Sequence, residues 1–262
     1  METLTVALTE LMLMGVGTFM LAMMLTPLYT FMAYRYRFWK KQRTESTTGE
    51  KLEVFTKLHA NKFRRNIPTM AGLIGVTAIV LVTLVFNLDR GQTWLPLAAL
   101  IGGAAVGLLD DIINLRSNGQ GTAGMRTSIK FGMIVSLGLA LGWFFFAKLG
   151  FSAVQVPFVG PWELGWIIIP VFAFVITATA NAVNISDGLD GLAGGLLTMS
   201  YGAFGVIALL QHQFFLAAFC FTAVGALLSY LWFNIFPARF FMGDVGSFAY
   251  GVSLGVIAML TN

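Results

Sequence analysis

One cysteine and two histidines in 262 residues close off several kinds of chemistry. Cys220 lies inside an apolar run, so neither a disulfide framework nor a zinc site can be made within the chain, and it reads as a small packing residue. His59 and His212 stand far apart, and no histidine metal cluster can be built from them. Charge is scarce as well: 11% of residues are charged, where soluble domains carry roughly a quarter. With 57% hydrophobic residues and a mean hydropathy of +0.80, an ordinary soluble domain is excluded and a polytopic membrane protein indicated. No Walker loop, Rossmann glycine fingerprint or Gly-x-Ser-x-Gly elbow occurs. The first apolar run, Leu4 to Tyr34, lacks both a preceding basic residue and a small-residue cleavage site, so it reads as a retained span and not a signal peptide.

Apolar runs of spanning length place helices near 5–34, 68–88, 94–109, 128–149, 163–180, 190–210, 214–236 and 245–261. The expected fold is therefore all-α, a membrane helical bundle of about eight spans forming one domain over 1–262. The third span is the short one, and its Gly102, Gly103 and Gly107 suit tight packing. Phe151 to Trp166, loosely alternating with proline and glycine, suits a short hairpin that carries nothing reactive.

Orientation follows from the basic residues. With the N-terminus outside, inside loops hold ten Lys/Arg between Arg35 and Arg65, three between Arg116 and Lys130, and Arg239, while Arg90 and Lys148 remain outside. The net charge of +4 thus reflects orientation and anionic lipid headgroups, with no call for nucleic acid. The same orientation sends Asp110, Asp111, Asp187, Asp190 and Asp244 to the cytoplasmic ends of spans. Five of twelve acids, from three parts of the chain, converge on one face.

Carboxylates beside lipid need water, a cavity or a partner, because a bare one in hydrocarbon costs several kcal/mol. Asn181 to Gly195 carries Asn184, Asp187 and Asp190 among glycines that let backbone approach a ligand. Alone, it could equally be a hydrophilic turn. Asp110-Asp111 closes the third span, its two side chains about 100° apart on a helix, and suits magnesium shared with substrate phosphates. Lys130 opens the fourth span as a headgroup anchor or a phosphate ligand. Asn234 to Ser247 sets aromatic residues, Asp244 and glycines next to a helix start, an arrangement that suits ring stacking and a metal-bound carboxylate or, more plainly, an interfacial aromatic belt. Arg64-Arg65 precede Pro68-Thr69, which suit the first turn of a helix, and form either positive-inside anchors or an anion site.

Taken together, these segments resemble the polyprenyl-phosphate N-acetylhexosamine-1-phosphate transferases, and most of all their muramoyl-pentapeptide branch. Pro68-Thr69-Met70-Ala71-Gly72 is close to the branch's Pro-Thr-Met-Gly-Gly, Asn181 to Leu192 matches Asn-Ala-Val-Asn-x-x-Asp-Gly-Leu-Asp-Gly-Leu, and Phe241 to Ser247 matches Phe-Met-Gly-Asp-x-Gly-Ser. The resemblance implies transfer of phospho-MurNAc-pentapeptide from UDP-MurNAc-pentapeptide to undecaprenyl phosphate, giving lipid I and UMP at the cytoplasmic face of the bacterial inner membrane. It implies Mg²⁺ as cofactor, with Asp244 and Asp187 as its ligands, and Asp110 and Asp111 as the acids that place or deprotonate the lipid phosphate. Phe241 would stack on uracil, and Asn184, Asp187, Asp190 and Asn234 would line the nucleotide pocket. Lys130 and Arg64 would bind diphosphate, Arg64 standing where the branch usually has lysine. Asn66-Ile67 also departs from the usual Gly-Thr, and Ala71 from glycine. Family members run longer, with further spans and a histidine-bearing loop, so the expectation is a chain truncated at its C-terminus; homodimers are common among them.

Two competing functions remain open at this level. A UDP-GlcNAc:polyprenyl-phosphate transferase of teichoic acid or O-antigen assembly would share the acids, although Pro-Thr-Met and the Asn-x-x-Pro-Ala run from Asn234 to Ala238 favour the muramoyl branch. A transporter would place coupling-ion acids near the midplane, whereas these gather at one edge and no inverted repeat is visible.

Overall fold

Apolar runs of this length become helices because a chain in hydrocarbon must satisfy its own backbone polar groups. A computed structural model describes residues 2–39, 66–116, 124–156 and 158–262. Its helices are α1 (Glu2–Arg35), α2 (Gly72–Phe86), α3 (Trp94–Arg116), α4 (Thr127–Ala147), α5 (Ile168–Ser186), α6 (Leu192–Leu210), α7 (Phe214–Asn234) and α8 (Gly243–Leu260). All but α2 are long and apolar enough to cross a membrane. Large apolar side chains such as Met24, Phe31, Trp143, Phe174, Met199 and Trp232 point away from the bundle and stay exposed, as lipid-facing residues do. The chain is a multi-pass membrane protein.

The most enclosed helix is α8, which packs against α3, α5 and α2; around it, α7 packs with α1, α6 and α2, and α4 with α5. Between α4 and α5 the expected hairpin forms from β1 (Ala153–Val156) and β2 (Gly160–Glu163), with Ala153 opposite Glu163 and Val156 opposite Gly160.

Two expected boundaries move. The third span does not stop before its acids, because Ile112, Ile113 and Leu115 carry helix on to Arg116, and α3 is a full 23 residues with Asp110 and Asp111 inside it. Conversely, Pro68 and Thr69 do not open α2. Their backbone is spent on other partners: the Thr69 N–H donates to Phe38 O (2.7 Å), and Pro68 O accepts from the Phe241 N–H (2.9 Å). Ala71 and Gly72 donate in turn to Phe241 O and Met242 O, and Met70 turns through a positive φ of 73° before the helix begins. The 15-residue α2 is consequently only about 22 Å long.

Small residues bring α3 and α8 together. Gly103 and Gly107 lie one turn apart on one face of α3, and a Cβ on Gly107 would sit 2.0 Å from Asp244 O, one on Gly103 2.5 Å from Phe248 O. Asp111 continues that face by another turn, so the contact that admits α8 also points acids at its start.

The connection from α7 to α8 is fixed by two polar side chains. Buried Asn234 accepts from the Gly191 N–H (2.9 Å) and donates to Phe240 O (2.8 Å); Asp190 accepts from the Ala238 N–H (3.1 Å). The α5–α6 turn and the 235–241 segment are thereby tied to each other.

Two variants test this packing. Gly107→Leu should lower the melting temperature in detergent or abolish folded yield, since overpacking costs typically about 1–3 kcal/mol, while Gly202→Ala, whose added Cβ meets nothing within 4 Å, should not lower it. Asn234→Ala should destabilise by about 1–3 kcal/mol for each buried backbone group left unpaired, read in the same melts.

Candidate active site

Three helix ends meet where α8 begins. Met242, at the residue preceding that helix, makes no side-chain capping bond, and the task falls to a carboxylate from another helix: Asp111 Oδ2 accepts from the Val245 N–H at 3.0 Å. A fully buried carboxylate is well served there, because the first N–H groups of a helix are unpaired and carry its positive end. Gly243 makes room for it with a positive φ of 76°; a Cβ there would lie 2.7 Å from Asp111 Oδ2.

Asp110 turns the other way, toward α4. Its Oδ1 accepts from the Met125 N–H (2.7 Å) and its Oδ2 from Lys130 Nζ (2.8 Å). Lys130 Nζ also donates to Asp244 Oδ2 at 2.8 Å, so one ammonium joins carboxylates from α3 and α8. The Phe248 ring lies beneath it, its centroid 5.4 Å away. Asp110 is 2% exposed, whereas Lys130 and Asp244 keep 21% and 16% of their side-chain surface, so solvent reaches the bridge from the Asp244 side.

From α5, Asn184 Nδ2 donates to Ser247 Oγ (2.9 Å) and approaches Asp244 Oδ1 (3.4 Å). Asp187, three residues further on at the C-terminal cap of α5, is half-buried at the same end of the bundle. Phe241 is half-buried too, its backbone bridged to Pro68 and Ala71.

The structure therefore gathers Asp110, Lys130, Asn184 and Asp244 directly, with Asp111 acting through the start of α8. Asn234 and Asp190, expected to line the pocket, hold the 235–241 segment as described above, and Asn234 is only 3% exposed. Arg64 lies outside the described residues. Ser247 has no role in the sequence reading, although it ends the Phe241 to Ser247 motif and sits one turn after Asp244. The backbone N–H of Met125 could not have been found from sequence, since any residue supplies one.

Oxygen donors of this kind suit a hard cation. Among the described residues no three His, Cys, Asp or Glu side chains form a closed metal cage. Mg²⁺ does not require one: it is commonly held by one or two carboxylates and completed by substrate phosphates and water. The Lys130 ammonium between Asp110 and Asp244 shows that the place accommodates positive charge, and Asp244, the more exposed of the two carboxylates, would be the residue to hold such an ion.

An apolar cavity of about 830 Å³ opens nearby between α1 and the 235–241 segment, lined among others by Pro27, Tyr34, Arg239 and Phe240. The acid cluster is not part of its wall.

Comparison with known proteins agrees with this arrangement. The pattern of glycosyl transferase family 4 matches residues 93–262, which include Asp110, Lys130, Asn184 and Asp244. A phospho-N-acetylmuramoyl-pentapeptide-transferase of Chloroflexus aurantiacus is 34% identical over 256 residues, covering 95% of this chain and 67% of that protein. Proteins of the same name from Listeria monocytogenes and Listeria innocua are 34% and 35% identical over 259 and 263 residues, each covering 95% of this chain and 76% of the relative. With its acids at one end of a multi-pass bundle and a family match over most of its length, the chain belongs to glycosyl transferase family 4.

Proposed function

We propose that this chain transfers phospho-MurNAc-pentapeptide from UDP-MurNAc-pentapeptide to undecaprenyl phosphate, releasing UMP and forming lipid I at the cytoplasmic face. The observation that carries this reading is that Lys130 bridges Asp110 and Asp244 while Asn184 reaches Asp244 from a further helix, all at one end of the bundle. The relatives' names favour a muramoyl-pentapeptide donor over UDP-GlcNAc.

In the proposed reaction an oxygen of the acceptor phosphate attacks the sugar-bearing phosphorus of the donor, and the bond to the UMP oxygen breaks. Both partners are anions, so the barrier is largely electrostatic. Mg²⁺ bound at Asp244, with Asp187 nearby, would supply charge neutralisation of the donor diphosphate. The chain's own residues do the rest. Lys130 offers an ammonium to phosphate oxygens, Asn184 orients the Asp244 carboxylate from one side, and Asp111 fixes the first turn of α8 on which Asp244 stands. Phe241 offers a ring for uracil, and Arg64 a second cation for the diphosphate. A phosphate monoester has its second pKa at about 6, so the acceptor is already mostly a dianion near neutral pH. Asp110 therefore need not act as a base. Its bonds to Lys130 and Met125 give it a positioning role.

The test is UMP release by purified protein supplied with both substrates. Asp244→Ala should lower turnover by about a hundredfold or more, the usual effect of removing one preorganised electrostatic group. Chelation of divalent cations should abolish release by the wild type, and added Mg²⁺ should restore it. Release that persists through chelation, or in Asp244→Ala, would contradict the proposal.

A further inference from the structure

The position of Lys130 raises a conflict that the proposed reaction has to resolve. Its ammonium lies 2.8 Å from Asp110 Oδ2 and 2.8 Å from Asp244 Oδ2, so those two oxygens are no further apart than twice that distance. Two carboxylates this close repel unless a cation lies between them. A simple headgroup anchor would extend into solvent; Lys130 instead turns inward over Phe248, with 21% of its side-chain surface exposed. On the reading given above, Asp244 is also the accessible ligand of a divalent cation. An ammonium and a divalent cation cannot both occupy that carboxylate without strong mutual repulsion at this partly buried place.

We propose that Lys130 is a built-in counter-cation that competes with the divalent cation for Asp244. In the metal-free site it neutralises Asp110 and Asp244 and keeps α3, α4 and α8 in register. When the divalent cation takes Asp244, Lys130 leaves that carboxylate while Asp110 retains it, and its freed N–H groups become available to substrate phosphate. The lysine thus weakens metal binding in the absence of substrate and couples metal entry to the readiness of the phosphate site. This inference rests on the proposed metal-dependent reaction and adds an order to it.

The competition fixes a sign that other roles do not share. If Lys130 only braced the structure, its removal would loosen the site and weaken metal binding. As a phosphate ligand alone, it would leave metal binding unchanged. As a competitor, it makes binding tighter when removed. The experiment is Mn²⁺ binding to the full chain in detergent without nucleotide substrate, followed by the electron paramagnetic resonance signal of free Mn²⁺. Lys130→Met should bind Mn²⁺ about tenfold or more tightly than wild type, given the size of charge repulsion at such distances, yet release UMP more slowly. Lys130→Arg, which keeps the charge, should bind Mn²⁺ as wild type does, and Asp244→Ala should bind none.

Binding by wild type with equal or weaker binding by Lys130→Met would overturn the inference and leave the metal reading intact; absence of binding from both would overturn the two together. Should Lys130→Met fail to fold, the wild type supplies the measurement. Mn²⁺ should increase acetylation of Lys130 by acetic anhydride, read by peptide mass spectrometry, because the amine is freed from one carboxylate. Unchanged or reduced labelling would overturn the inference.

Discussion

The approach of α8 to α3 is the contact on which the rest of the acidic end depends. Gly103 and Gly107 remove the side chains that would hold the two backbones apart, and Asp244 starts its helix against Gly107. Once the backbones meet, helical periodicity leaves little choice. Asp111 falls on the same face as the glycines and reaches the unpaired N–H groups of α8, while Asp110 turns toward α4 and finds Met125 and Lys130. In most soluble proteins such a helix start would be capped by a neighbouring serine, threonine or aspartate. Here the cap comes from another helix, which ties the stability of the pair to the geometry of the acids.

Burial of charge shapes everything around that contact. Asp110 and Asp111 lie buried inside the protein, where an unpaired carboxylate is costly. Each is met by donors of the right kind, a backbone N–H in both cases and an ammonium in one. The remaining carboxylate of the trio, on Asp244, keeps more solvent access, shares the ammonium with Asp110 and is approached by Asn184. This asymmetry separates groups that hold the site from the group best placed to engage a ligand.

Much of this was legible in the sequence. Apolar runs placed each of the eight helices found among the described residues, and the bias of Lys and Arg among the loops gathered five acids at one end before any contact was known. The hairpin at 153–163 followed from alternation and turn residues. The failures have physical causes. Asp110-Asp111 looked like the end of a span because charge ordinarily ends one, yet the isoleucines beyond it continue the helix, and each carboxylate accepts a backbone N–H from elsewhere in the chain. Pro68-Thr69 looked like a helix start, but its backbone pairs with Phe38 and Phe241, a choice that only distant chain segments can dictate. The buried clasp that Asn234 makes between Gly191 and Phe240 was not visible in its motif, because both partners are backbone groups that any residue supplies. Lys130 was legible as a cation at the start of a span; its partner Asp244, 114 positions away, was not, since spacing along the chain carries no record of such pairings.

The central claim is that this cluster moves a muramoyl-pentapeptide phosphate onto a lipid phosphate. The most direct measurement offers purified protein UDP-MurNAc-pentapeptide and UDP-GlcNAc together, with undecaprenyl phosphate and Mg²⁺, and identifies the lipid product by mass spectrometry. The account predicts undecaprenyl-diphospho-MurNAc-pentapeptide, with UDP-GlcNAc left unused. A GlcNAc-bearing lipid, or UMP released without any lipid-linked sugar, would contradict it.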